Sequence, residues 1–182
     1  MGGLYVNYAT IKRRDVANGP GVRVSLFVSG CEHRCPGCFN PEAWDFDYGR
    51  PFTRETEDAV LADLAPDFVK GLSLLGGEPF DPRNQPALAP FLRRVRAAYP
   101  DKTVWCYTGY LLDRDLRPGG RAWTEHTQNM LRDIDVLVDG PFVQAEKDLS
   151  LRFRGSANQR ILWCARSLEE GRLIPWTEES RN

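Results

Sequence analysis

The chain has 182 residues, 42% of them hydrophobic, which suits one globular domain over 1–182 with a real core. Lys and Arg number 24 against 25 Asp and Glu, so the basic stripe that a phosphate backbone demands is missing and nucleic acid is not an expected partner. No apolar run reaches the length of about 18 residues needed to span a bilayer, and Met1 to Arg14 lacks the apolar stretch of a signal peptide, so neither membrane insertion nor secretion is expected.

Along the chain, Leu4–Tyr8 reads as a first strand, and Val22–Val28 as a second, apolar enough to be buried on both faces. Asn18-Gly19-Pro20-Gly21 between them is a rigid turn, which could also touch a partner. Thr53 can cap a helix running to about Leu64, with Glu55, Glu57 and Asp58 at its N-terminal dipole and Pro66 beyond its end. Gly71–Leu75 is then a buried strand, Ala87–Ala98 a helix, Thr103–Tyr107 a strand, Thr124–Arg132 a helix, Val136–Val138 a strand and Arg160–Trp163 a last one. Strands and helices alternating in this way predict an α/β fold built of βαβ units on a mostly parallel sheet. A complete eight-stranded barrel takes about 250 residues, so an open partial barrel or a doubly wound sheet is expected.

In either architecture the loops after the strands share one rim. Those loops are Cys31–Cys38, Gly76–Pro79, Thr108–Tyr110 and Asp139–Gly140. Five cysteines is an odd number, and three lie within one short loop, so a disulfide framework fits poorly and a reducing, cytoplasmic compartment fits well. Cys31-Glu-His-Arg-Cys35-Pro-Gly-Cys38 has the spacing C-x3-C-x2-C, with Gly30 and Pro36-Gly37 supplying sharp turns. Three thiolates so close can wrap one face of an iron–sulfur cubane and leave one iron open to a ligand. Structural zinc, with His33 completing a Cys3His set, is the plainer alternative, although His33 lies between two of the cysteines and would reach the same ion only in a cramped geometry. Cys106 and Cys164 fall inside expected strands and read as small buried hydrophobes.

At the cysteine loop the chain resembles the radical S-adenosylmethionine superfamily, except that Gly37 stands where an aromatic residue commonly precedes the third cysteine and Phe39 follows it instead. Gly37-Cys38-Phe39-Asn40 resembles the pattern of one branch, the activating proteins of anaerobic ribonucleoside-triphosphate reductase. Leu26-Phe-Val-Ser-Gly-Cys31, Pro51-Phe-Thr53, Gly76-Gly-Glu-Pro79, Thr108-Gly-Tyr110, Val136-Leu-Val-Asp-Gly140 and Arg154-Gly-Ser156 extend that resemblance over most of the chain, up to about Trp163.

The resemblance implies a partial TIM-like barrel, a [4Fe–4S] cluster on Cys31, Cys35 and Cys38, and S-adenosylmethionine at the open iron. It implies methionine binding by Gly76, Gly77 and Glu78, and adenine contacts from Phe39 and the Gly37 backbone. Thr108 and Asp139 could reach the ribose or carboxylate side, with Asp139 read equally as a turn-former before Gly140. Arg152, Arg154 and Arg160 read as a solvated face or as a dock for an acidic surface or the cofactor carboxylate. The implied reaction is hydrogen abstraction from a glycine Cα of the reductase, with flavodoxin as the expected electron donor. The alternatives are an activator of another glycyl radical enzyme, a small-molecule radical enzyme such as a deazaguanine synthase, and a non-catalytic zinc-binding adaptor.

Overall fold

The computed structural model describes residues 6–178. Its strands are β1 (Asn7–Asp15), β2 (Val22–Val28), β3 (Arg50–Pro51), β4 (Val69–Gly76), β5 (Thr103–Tyr107), β6 (Val136–Asp139) and β7 (Arg160–Trp163). Its helices are α1 (Arg54–Leu64), α2 (Gln85–Ala98), α3 (Thr127–Asp133) and α4 (Cys164–Glu170). All seven strands join in one open sheet of order β3-β1-β2-β4-β5-β6-β7. The central strands β2, β4, β5 and β6 run parallel, whereas β1, β3 and β7 pair antiparallel at the two sides.

From β2 to β6 every helical connection steps to the adjacent strand in the same direction, so the sheet is wound one way and the doubly wound alternative is excluded. Alternation along the strands divides the core accordingly. Val24, Leu26, Leu72, Leu74, Val104, Cys106 and Leu137 face the helices and pack with Val60, Leu88, Leu92 and Met130. Trp105, Val136 and Val138 face the other way, into a second cluster that includes Phe153 and Trp176. On that inner face the fully buried Arg23 guanidinium donates to Ser73 Oγ at 2.7 Å, to the Leu72 carbonyl at 2.8 Å and to the Thr103 carbonyl at 2.9 Å. The Asn18-Gly-Pro-Gly21 turn lies against this plug, since the Asn18 carbonyl accepts from Ser73 Oγ at 2.5 Å.

The boundaries of β2, β5 and β7 fall where the apolar runs place them, and Thr53 caps α1 by accepting from the Thr56 amide. Elsewhere the elements depart from expectation: β4 and α2 start two residues early, at Val69 and Gln85, and β3 and α4 are additional. Leu4 and Tyr5 lie outside the described residues, and β1 continues to Asp15 through Lys12, Arg13 and Arg14, whose side chains are exposed. The segment before α3 is a turn, because Thr124 and Thr127 both turn their hydroxyls onto the Gln85 carboxamide, at 2.6 and 2.7 Å. Cys164 begins α4 and does not lie in a strand, although it is fully buried. Past α4, Ile174–Trp176 returns along β7: the Trp163 amide donates to the Ile174 carbonyl and the Trp176 amide to the Ile161 carbonyl. Among the described residues no helix is long and apolar enough to cross a membrane.

Leu74 sits fully buried at the middle of β4 and faces the helices. Leu74→Ala is expected to lower unfolding stability by about 2–5 kcal/mol through lost transfer energy and a residual cavity, as read by denaturant titration.

Candidate functional site

The loops that follow β2, β4 and β5 enclose a cavity of about 440 Å³ on the inner face of the sheet. Cys31, Cys35, Cys38 and Phe39 line it from the first loop, Gly76, Gly77 and Glu78 from the second, and Thr108 from the third. Eight of the ten residues picked out from the sequence therefore meet at one place. Gly37 and Asp139 are not among those that line it.

The cysteine loop is anchored at its start by backbone bonds, Gly30 N–H to the Ala43 carbonyl at 2.8 Å and Cys31 N–H to the Trp44 carbonyl at 3.1 Å. Glu78 N–H donates to the Gly30 carbonyl at 2.8 Å, which ties this loop to the Gly-Gly-Glu-Pro turn. The approach is so close that a Cβ on Gly77 would stand 2.5 Å from the Gly30 oxygen, so position 77 has room only for glycine. Asn84, which the sequence reading passed over, clips the same region by donating to the Ser29 carbonyl at 3.1 Å and the Glu78 carbonyl at 2.9 Å. Its place just before α2 was the only signal of its role.

All three loop cysteines are free thiols. Burial, and then the nearby Glu78 carboxylate, push the Cys31 thiol up to about 12, and burial also raises Cys35. As thiolates they would need a compensating positive charge, which a bound metal centre supplies. His33 does not point at these sulfurs. Its Nε2 lies 2.8 Å from Glu78 Oε2, and its ring packs edge-on against Tyr110 with centroids 4.4 Å apart. Among the described residues no three His, Cys, Asp or Glu side chains are disposed to hold one metal ion, so the Cys3His zinc arrangement is not formed.

Glu78 is 1% exposed, and its carboxylate accepts from the Phe80 amide at 2.9 Å, the Thr108 hydroxyl at 2.7 Å, the Gly109 amide at 2.7 Å and His33. Thr108 thus meets the cavity beside Glu78, with its hydroxyl already committed. Phe39 is 67% exposed, which rules out a core role. Its ring leans on Phe142 with centroids 5.3 Å apart, and Lys147 Nζ stands 5.1 Å from its centre. A Cβ on Gly155 would press both rings at 3.2 Å, which gives the Arg154-Gly155-Ser156 stretch a physical meaning: its glycine lets the aromatic lip form. Gly37 turns the loop at φ +73°, a left-handed conformation that favours glycine.

The structure gives Asp139 protein partners and places it outside the cavity lining. Asp139 is fully buried, accepts from the Leu112 amide at 2.8 Å, and takes Arg160 on both oxygens at 2.8 and 2.6 Å. Arg160 also reaches Asp113 at 2.8 Å, and these carboxylates hold its guanidinium above its usual range. Arg152, Arg154 and Arg160 line one surface groove with Trp176, and each already has an acceptor there, since Arg152 pairs with Glu178 at 2.7 Å and Arg154 donates to the Gln159 carbonyl at 2.6 Å.

Residues 17–162 match the family model described as a 4Fe-4S single cluster domain. The chain is 44% identical over 158 residues to a Vibrio cholerae protein named anaerobic ribonucleoside-triphosphate reductase-activating protein, covering 86% of this chain and 97% of that one. It is 45% identical over 159 residues to the Escherichia coli protein of the same name, with the same coverage. A protein of that name from bacteriophage T4 is 38% identical over 158 residues, covering 86% of this chain and 93% of its own length.

Because Asp139 is closed by its own partners, Asp139→Ala should act on folding and not on ligand binding. It leaves the Leu112 amide without its acceptor and Arg160 with Asp113 alone, and a loss of about 1–3 kcal/mol is expected. Thermal unfolding should show that loss, while ligand affinity measured on the folded fraction stays at the parent value.

Proposed function

The chain belongs to the family of anaerobic ribonucleoside-triphosphate reductase-activating proteins, and from that membership we propose that it is a radical S-adenosylmethionine activase forming the glycyl radical of the anaerobic reductase. The observation that carries the reading is the convergence of three free thiols and a Gly-Gly-Glu turn on one cavity.

Cys31, Cys35 and Cys38 are the residues that would hold a [4Fe–4S] cluster. The donor set fits a cluster with one open corner, since the remaining cysteines, Cys106 and Cys164, are buried in the core on the helix side of the sheet. A volume of about 440 Å³ lies within the range of small-molecule sites and leaves space for S-adenosylmethionine beside the thiols. A cluster held by these three residues would supply the electron for reductive cleavage of S-adenosylmethionine, the chemistry by which hydrogen would be taken from a glycine Cα.

The chain's own residues bind and orient. Gly76 and Gly77 border the cavity with bare backbone for the methionine end, and Phe39 takes the adenine side, with Gly37 serving through the turn it gives the loop. Thr108 serves the site through Glu78, and Asp139 has no ligand role. The whole chain is read as one radical S-adenosylmethionine domain whose open sheet is an incomplete β/α barrel. A one-way winding and an unclosed inner face support that reading, and the gap admits a polypeptide loop of the reductase. We assign the protein to the cytoplasm, with flavodoxin as the donor, on the strength of its reducing-compartment cysteines and the family resemblance.

Anaerobic reconstitution is expected to give a brown protein with one four-iron cluster per chain, and Cys35→Ala should abolish the absorbance. An unchanged spectrum in that variant would remove the cysteine loop from the site. Mixing the reduced protein, S-adenosylmethionine and the anaerobic reductase should give the doublet of a glycyl radical in electron paramagnetic resonance. Formation of 5′-deoxyadenosine without the doublet would assign the chemistry to another substrate.

A further inference from the structure

The rim carries a buried contact that the proposed chemistry does not use. His33 lies between Cys31 and Cys35, its side chain is 11% exposed, and its Nε2 meets Glu78 Oε2 across 2.8 Å. The ring is confined on other sides as well. It packs edge-on to Tyr110, and a Cβ on Gly109 would stand 2.6 Å from its Cδ2. A carboxylate has about four lone-pair sites, and Phe80, Thr108, Gly109 and His33 fill all of them on Glu78. These donors come from three loops: the cysteine loop, the Gly-Gly-Glu-Pro turn and the Thr-Gly-Tyr turn.

We propose that the His33–Glu78 hydrogen bond is the strut that fixes the cysteine loop to the rest of the rim, making His33 a positioning residue for the cluster ligands and Glu78 a keystone with no lone pair left for a ligand ammonium group. The role in cluster positioning rests on the function proposed above; the strut itself is a property of the chain without cofactors. Other side-chain ties from this loop are the Phe142 amide donating to the Cys35 sulfur and the pair of Glu32 with Arg83 at 2.6 Å, the latter with side chains 71% and 53% exposed. Exposed pairs of this kind contribute too little to hold a loop. A largely buried hydrogen bond to a charged group contributes more, and losing it also strands a carboxylate oxygen away from water. Just beyond His33 the backbone of Arg34 is left-handed, φ +47°, a conformation uncommon for a residue with a Cβ and held only where its surroundings demand it. The strut supplies that demand.

The test separates hydrogen bonding from packing. His33→Phe keeps a ring against Tyr110 and Gly109 but cannot bond Glu78, His33→Gln keeps a donor, and Glu32→Gln removes only the surface pair. In the cofactor-free protein, near neutral pH and without oxygen, the rate of Cys31 alkylation by iodoacetamide reports opening of the loop. His33→Phe should raise that rate about tenfold, His33→Gln should restore much of the protection, and Glu32→Gln should leave it unchanged. After reconstitution His33→Phe should bind iron as the parent does, yet show altered g-values for the reduced cluster and about tenfold weaker binding of S-adenosylmethionine. Parent-like alkylation in His33→Phe overturns the strut. Faster alkylation with unchanged g-values and affinity overturns its role in cluster positioning. If the parent itself takes up no four-iron cluster, the proposed function fails while the alkylation result still decides the strut. His33→Ala serves as a second variant if the larger ring impairs folding, with the same outcomes expected.

Discussion

Parallel strands all end on the same side of a sheet, and that constraint is what the site depends on. β2, β4 and β5 are hydrogen-bonded neighbours in register, so the loops leaving them are held about one strand spacing apart, roughly 5 Å. Cys31, Gly77 and Thr108 lie tens of residues apart along the chain, yet they leave adjacent strands within a few residues of their ends. Side chains on such loops need only short reaches to meet. Glu78 exploits this by collecting donors from all three loops on one carboxylate.

Closing the rim in this way concentrates negative charge beside groups that must ionise to ligate metal. Glu78 is buried and lies close enough to raise Cys31, after burial itself. Four hydrogen bonds stabilise the carboxylate, so the protein meets that electrostatic cost with local donors. The thiols have fewer donors, the His33 and Arg34 amides on Cys31 and the Phe142 amide on Cys35, and burial outweighs them. Their deprotonation is therefore coupled to arrival of a cationic centre, which makes the loop a better host for metal than for free thiolate. Asp139 solves its own burial differently, by a two-pronged pair with Arg160, and that solution removes it from the cavity.

Much of the fold was legible because β2, β5 and β7 are short apolar runs bounded by polar residues, and α1 carries both a capping threonine and a terminating proline. The far part of β1 was not legible. Lys12, Arg13 and Arg14 are poor strand formers by composition, and they occur there because that stretch of β1 has no partner on its outer side beyond Tyr8. The start of α3 was misplaced because what keeps Thr124 out of the helix is a hydrogen bond to Gln85, 39 residues away. The cysteine loop and its partner turns could be assigned to one rim from strand order alone. Their pairings could not: the sequence carries no sign that Asp139 will be closed by Arg160, or that His33 will turn from the cysteines towards Glu78. Spacing reports which residues arrive at a rim, whereas only the assembled rim decides which atoms they satisfy.

An open sheet must also keep its two sides from pairing with other chains. On one side β3 contributes just Arg50 and Pro51, and the remainder of β1 presents exposed Thr10, Lys12 and Arg14. On the other side Ile174–Trp176 runs along β7 and takes up its free backbone groups. Trp176 then packs on Trp105 at 5.1 Å and on Phe153 at 6.2 Å, so the segment covering the edge also supports one wall of the cavity. Protection by charge at one side and by a returning segment at the other lets the sheet stop at seven strands. The part of the inner face that borders the cavity stays open for the same reason. With no further strand to curl over it, it is bordered by Phe39 and by Leu149, which is 86% exposed, and a polypeptide can approach the cavity across apolar side chains.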